Sequence, residues 1–262
     1  MPENSSQKYL REEYTARINR VIDYIEENID QELSLAILAD IAGFSPFHFH
    51  RIFSSLIGET LNGYIQRIRI EKAASMLIQN PKESITAIAL ECGFSGASTF
   101  ARVFREAYRM SAREWRTGGC LQDRKNRQMD SKEWQVTSNF RQEFDPHLNY
   151  YINKQEWRVE MKLNRNLITN IEVKDIPEMH VAYLRHIGPY AGDVELFNRL
   201  INKLCTWAGP RGLLNFPDTS LLMIYHDFPE LTDPKKLRMD VCITVPPDTK
   251  VDGEIGKATI PA

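Results

Sequence analysis

Apolar residues recur at helical spacing along the first half of the chain, and the recurrence itself repeats. Ser34 opens a run of Leu35, Ile37, Leu38, Ala39 and Ile41 that closes on Gly43-Phe44-Ser45. Fifty residues later Ser84 opens Ile85, Ala87, Ile88 and Ala89, which close on Gly93-Phe94-Ser95. A second stripe comes after each stop. Phe49, Ile52, Phe53 and Leu56 fall at i, i+3, i+4, i+7, and Phe100, Val103, Phe104 and Ala107 repeat that spacing after one extra turn residue. Ser34 and Ser84 suit N-caps, because a short hydroxyl accepts a bond from an orphaned N–H of the first turn. Gly43 and Gly93 suit the stop, where a residue without Cβ enters the left-handed region at little cost. Helix, glycine turn, helix is the helix-turn-helix pattern, and the chain carries it twice.

The helical period ends near Thr117. Gly118-Gly119 and a charge-mixed stretch through about Gln155 read as a linker with extended connections. Trp134, Phe140, Phe144, Tyr150, Tyr151 and Trp157 argue against full disorder there and for some packing on the second domain. Beyond about Val159 the period is that of strands. Ile171 to Pro177 alternates and Met179 to His186 comes after a Pro177 turn, which predicts a hairpin. Val194, Phe197, Leu200, Ile201 and Leu204 form one helical stripe stopped by Gly209-Pro210, and further strands are expected at Leu221 to His226 and Met239 to Val245. The fold class is α+β and multidomain: an all-α double helix-turn-helix unit, then a β-rich unit with one helix.

The stripe opposite each core stripe carries the candidate chemistry. It holds Phe47, His50, Arg51 and Ser54 in the first copy, and Ser98, Ala101, Arg102 and Arg105 in the second. An arginine can bond a guanine edge through two nitrogens, His and Ser reach base edges or phosphates, and a flat apolar ring such as Phe47 can touch a thymine methyl. A solvated face on an ordinary bundle helix would look similar in one copy. Two copies with Arg51 and Arg102 at matching positions favour the reader of DNA.

From about Arg17 to Arg116 the chain resembles the DNA-binding region of AraC/XylS-type transcription regulators. The residues that carry the likeness are Leu35-Ala-Ile-Leu-Ala-Asp-Ile-Ala-Gly-Phe-Ser, Phe49-His-Arg-Ile-Phe, Tyr64-Ile-Gln-Arg-Ile-Arg-Ile-Glu-Lys-Ala, Ile88-Ala-Leu-Glu-Cys-Gly-Phe-Ser and Phe100-Ala-Arg-Val-Phe-Arg. The resemblance implies seven or so helices, with the recognition helices held apart by a long central helix near Leu61 to Ile78. It places base contacts at Phe47, His50 and Arg51, and at Ser98, Thr99 and Arg102. Paired recognition helices usually meet successive major grooves about 34 Å apart. One chain with two unequal readers implies an asymmetric site.

Charge changes this picture only by its placement. The formal net charge is −2, yet residues 45–116 hold ten Lys/Arg against six Asp/Glu. The first forty-four residues are acidic, with Glu12, Glu13, Asp23, Glu26, Glu27, Asp30, Glu32 and Asp40. A basic reading face backed by an acidic helix would orient the protein on DNA and limit non-specific sticking. No run approaches the roughly 18 apolar residues of a membrane span, and Met1 to Tyr9 lacks a signal-peptide core, so a cytoplasmic protein is expected. Cys92, Cys120, Cys205 and Cys242 have no Cys-x-x-Cys spacing and read as buried thiols; no metal site or cofactor is expected.

The second region resembles the GyrI-like effector-binding domain of Rob-like regulators. Ile176-Pro-Glu-Met-His-Val-Ala-Tyr-Leu-Arg-His-Ile-Gly-Pro-Tyr, Leu222-Met-Ile-Tyr-His-Asp and Arg238-Met-Asp-Val-Cys-Ile-Thr-Val-Pro carry the likeness. It implies two strand-helix-strand-strand halves around a groove for small hydrophobic or cationic ligands, which aromatic walls and a buried acid would suit. The sequence departs from that pattern at Ile260-Pro261-Ala262, where a second half would start, so the expectation is an incomplete domain, first half only. The divisions expected are 9–116 for DNA binding, 117–157 for the connection and 158–262 for the GyrI-like unit. Tyr183, Tyr190, Trp207 and Tyr225 are the pocket candidates, each with core packing as its alternative.

Some domains of this second type are hydrolases, which makes catalysis an alternative. No Gly-x-Ser-x-Gly, His-Glu-x-x-His or phosphate loop is present, and Glu172, Glu178 and Asp240 are expected on solvent faces of strands. The expectation is a non-enzymatic regulator whose partners are duplex DNA, a small effector and RNA polymerase. The alternatives are a regulator without a ligand, set by abundance or a protein partner, and a GyrI-like hydrolase.

Overall fold

The computed structural model describes residues 5–119, 148–153, 156–161, 175–215, 217–229 and 231–262. Most of the connecting segment expected at 117–157, with Cys120, and the residues 171–174 of the expected hairpin lie outside these. Helices run α1 (Ser5–Glu27), α2 (Leu35–Ala42), α3 (Pro46–Ile57), α4 (Leu61–Gln79), α5 (Ile85–Glu91), α6 (Ala97–Tyr108) and α7 (Ala112–Glu114), and a π turn spans Trp115–Gly119. Strands β1 (Leu148–Asn153) and β2 (Glu156–Met161) pair antiparallel with each other. Then come β3 (Met179–Ile187), α8 (Val194–Ala208), β4 (Leu221–Tyr225), β5 (Arg238–Thr244) and β6 (Gly256–Ile260).

Local chemistry sets the helix ends. Ser34 caps α2 by accepting from Ile37 N–H, and Ser84 caps α5 by accepting from Ala87 N–H. Gly43 and Gly93 are left-handed at φ 66° and 78°. The copies differ at the next start: Ser45 caps α3 through its hydroxyl with Pro46 in the first turn, whereas Gly96 begins α6 with no side-chain cap. Gly96 is the extra turn residue.

Helix α4 serves two cores in succession. Leu61, Tyr64, Ile65 and Ile68 join Phe49, Phe53, Leu38 and the α1 stripe Ile18, Val21, Ile22, Ile25. Ile70, Ala73, Ala74 and Leu77 join Ile88, Phe100, Phe104, Tyr108 and Trp115. At 1.5 Å per residue its nineteen residues span roughly 28 Å, so one rigid rod spaces the two units. The expected central helix is therefore present, one residue longer than the sequence indicated.

The C-terminal sheet has the order β4-β5-β3-β6, and each neighbouring pair is antiparallel. Alternation gives it two faces. Ala182, Leu184, Met239, Val241 and Ile243 pack on Leu196, Leu200, Leu204 and Ala208 of α8. Val181, Tyr183 and Cys242 form a smaller apolar patch on the other face. Among the described residues β3 pairs with β5 and β6; residues 175–178 form no strand. Strand β6 was not expected. It carries Gly256 opposite Tyr183, where a Cβ would sit inside the tyrosine ring.

Candidate nucleic-acid interface and the sheet face behind it

Helix α3 turns Phe49, Ile52 and Phe53 inward, which leaves Phe47, His50 and Arg51 exposed on its outer side. Phe47 is 75% exposed, far more than an apolar ring with only a structural role needs, and the Arg51 guanidinium lies 5.8 Å from its ring centroid. Helix α6 is built likewise: Phe100, Val103 and Phe104 are buried, while Ser98, Thr99, Ala101, Arg102 and Arg105 are exposed. Arg102 donates to Glu106 at 2.9 Å with both side chains about three-fifths exposed. Exposed pairs of this kind are worth about 0.3–0.5 kcal/mol, so Arg102 is readily given up to a stronger anion.

One candidate is corrected. Ser54 was expected on the outer stripe, but it is half-buried and its Oγ is enclosed without a partner. Of that stripe Phe47, His50 and Arg51 are exposed and Ser54 is not. The basic surplus is also thinner than its count. Arg67 is held by Glu59 at 2.7 Å and Glu71 at 3.1 Å, and Arg69 donates to the carbonyls of Ile29 and Gln31.

The acidic side of α1 has a partner of its own, the face of the sheet turned away from α8. Asp23 accepts from Tyr183 O–H at 2.5 Å and from Arg185 Nη1 at 2.8 Å. Glu26 pairs with Arg238 and lies 3.4 Å from His226 Nδ1. Arg238 Nη1 also donates to Tyr64 Oη at 2.8 Å, and Lys236 Nζ to Glu59 at 2.7 Å. Behind these, Asp240 accepts from Arg185 Nε and Nη2 and from His226 at 2.7–2.8 Å, and Asp227 accepts from Arg238 Nε and Nη2.

Burial alone would raise the carboxyl of Glu26, but the His226 hydrogen bond and the Arg238 charge bring it down to about 2. Asp240 likewise falls to about 2 against its burial, through His226 and Arg185. Burial would lower His226, yet Asp240 and Glu26 raise it to about 9, so the ring is an imidazolium donating from both nitrogens at neutral pH. Tyr64 is pushed up to about 12 by burial.

Asp240 was expected on a solvent face and is 2% exposed, because β5 is covered on both sides. The four aromatic pocket candidates do not converge. Tyr183 lies on the α1 side of the sheet; Tyr190 and Tyr225 contact each other at 5.4 Å; Trp207, on α8, donates to Asp252 under Arg211. Sequence reasoning missed Asp23, Glu26, Tyr64, Arg185, His226, Asp227 and Arg238. Arg238 and Asp240 at period two inside an otherwise apolar strand were the available signal, since a charge buried on both sides needs a partner.

Two unequal helix-turn-helix units on one shared helix define a double helix-turn-helix class of fold. Residues 38–118 match the helix-turn-helix domain family, and residues 169–262 match the GyrI-like small molecule binding domain family. The chain is thus similar to a helix-turn-helix domain over 38–118 and to a GyrI-like domain over 169–262. Over 89 residues it is 38% identical to the bifunctional transcriptional activator/DNA repair enzyme AdaA of Bacillus subtilis, covering 34% of this chain and 42% of that one. It is 32% identical over 104 residues to the HTH-type transcriptional regulator YbfP of the same organism, covering 40% and 35%. The chain spans less than half the length of either relative. A transcriptional regulator with an AraC-type DNA-binding domain from Chromobacterium violaceum aligns with 39% of this chain and 90% of its own, at 28% identity and a TM-score of 0.37.

Proposed function

We propose that the protein is a sequence-specific transcription regulator that reads duplex DNA through α3 and α6 and answers to a small molecule through its GyrI-like domain. The observation that carries this reading is the pair of exposed, donor-bearing faces on otherwise buried helices, Phe47, His50 and Arg51 on one and Ser98, Thr99, Arg102 and Arg105 on the other. Unequal chemistry makes the first unit the more discriminating reader. The second leans on Arg102 and Arg105 and on phosphates. Contact with RNA polymerase and a cytoplasmic site of action belong to the same proposal. No helix among the described residues is long and apolar enough to cross a membrane.

The reading is non-enzymatic. Asp240 is committed to Arg185 and His226 and lies behind α1, and Glu178 is exposed; Glu172 lies outside the described residues. The scatter of the four aromatic candidates favours one second reading, a regulator without a small effector, controlled by abundance or a protein partner. Arg51→Ala tests the first. It weakens the specific site by about 1–3 kcal/mol and relaxes base choice there. Band-shift titrations on specific and random duplexes measure it, and equal losses on both contradict a reading role.

A further inference from the structure

Four hydrogen-bond donors on one face of the sheet point out of the C-terminal domain: Tyr183 O–H, Arg185 Nη1, His226 Nδ1 and Arg238 Nη1. The other donors of these side chains are fixed from within. Asp240 holds Nε and Nη2 of Arg185 and Nε2 of His226, and Asp227 holds Nε and Nη2 of Arg238. Both guanidiniums are buried, at 3% and 4% exposure. The outward donors converge on two carboxylates in pairs, Tyr183 and Arg185 on Asp23, His226 and Arg238 on Glu26, and Arg238 Nη1 also donates to Tyr64 Oη of α4 at 2.8 Å. Both acids sit one turn apart on α1.

We propose that this face is a binding site for a small dicarboxylate, filled here by Asp23 and Glu26, and that such a ligand binds by displacing α1 from the sheet. The inference deepens the ligand-responsive half of the proposed function and rests on it. A dianion replaces the two α1 carboxylates charge for charge. Opening the face with nothing in it would give up the charge-assisted hydrogen bonds of both pairs, so a replacement anion favours release of α1. Because each donor pair meets its own carboxylate, two linked acids fit and a single one does not. Side chains one turn apart on a helix are about 5–6 Å apart at Cβ, the reach of a four- or five-carbon diacid. A cationic ligand would meet Arg185, Arg238 and an imidazolium, and is disfavoured on this face.

Calorimetric titration of glutarate into the full chain tests this, with acetate and sodium chloride at matched ionic strength. The helix competes as a tethered ligand at high effective concentration, so wild-type binding is weak. Asp23→Asn with Glu26→Gln weakens that competitor and tightens glutarate at least about tenfold, a shift of about 1.4 kcal/mol. Arg185→Gln in the same background abolishes it. Should the double variant not fold, Asp23→Asn alone gives a smaller change of the same sign. Equal affinity in wild type and variant, no binding to either, or acetate binding as tightly as glutarate each overturns the proposal. The titration contains no DNA, so its failure is separate from failure of the DNA-reading proposal.

Discussion

At Gly93 the backbone is left-handed and a Cβ would run into the Ile29 carbonyl and the Arg69 guanidinium that bonds it. At Gly43 the conformation is the same, but a Cβ would meet only the flexible tip of Arg17. Gly93→Ala therefore costs the left-handed strain of about 1–3 kcal/mol plus a backbone collision, and Gly43→Ala little beyond the strain. Urea unfolding separates them, and equal losses contradict the close approach. His226 gives a second residue-scale expectation. Its folded pKa of about 9 lies above the ordinary 6.5, so its contribution is complete below pH 6.5 and is lost as pH rises through 9. Glu26 and Asp240, which face it, are ionised throughout that window, and Arg185 stays charged. Glu71, pushed up to about 7 by burial, has largely titrated before the steep part. The melting temperature falls between pH 7.5 and 9.5 more steeply than in His226→Gln; parallel curves contradict the imidazolium.

Among the elements, α4 carries the argument. It gives one set of side chains to the first core and the next set to the second, so the helix is buried on several sides and shows no single apolar stripe. Trp115 closes the second core, donating Nε1–H to the Ala74 carbonyl at 3.0 Å and packing on Tyr108 at 4.3 Å. Trp115→Ala removes the largest buried side chain of that unit and costs about 3–5 kcal/mol. Calorimetry should show the first unit's transition less affected; an unchanged melting profile contradicts the packing. Helix starts, glycine stops and the core stripes, apart from Ala107, which is exposed, were legible because caps and periods are local, set by residues three or four apart. Strand β6 was not: Gly256, Lys257 and Thr259 dilute its alternation, and only pairing with β3 makes it a strand. Nor was the hidden place of Ser54 Oγ, which depends on what packs beside α3.

Across the whole molecule the two domains touch directly. Ile187 of β3 packs against the first helix-turn-helix core and Leu231, between β4 and β5, against the second. With Asp23, Glu26, Glu59 and Tyr64 bound to the sheet and its flanking loop, the C-terminal domain holds α1 and α4 while the outer faces of α3 and α6 stay exposed. The acidic residues of α1 looked like a solvent-facing counterweight to the basic reading face. Asp23 and Glu26 are instead its attachment to the sheet, which sequence could not reveal because their partners lie about 160 and 212 positions away. A central helix with unequal readers at its two ends is the claim on which the rest depends. Selection of bound sites from a random duplex library tests it most directly. The account predicts an asymmetric site of two unlike blocks one helical turn apart, about 10–10.5 base pairs between centres, the stronger one losing definition in Arg51→Ala. A palindromic site, or no enrichment over the starting library, would contradict it.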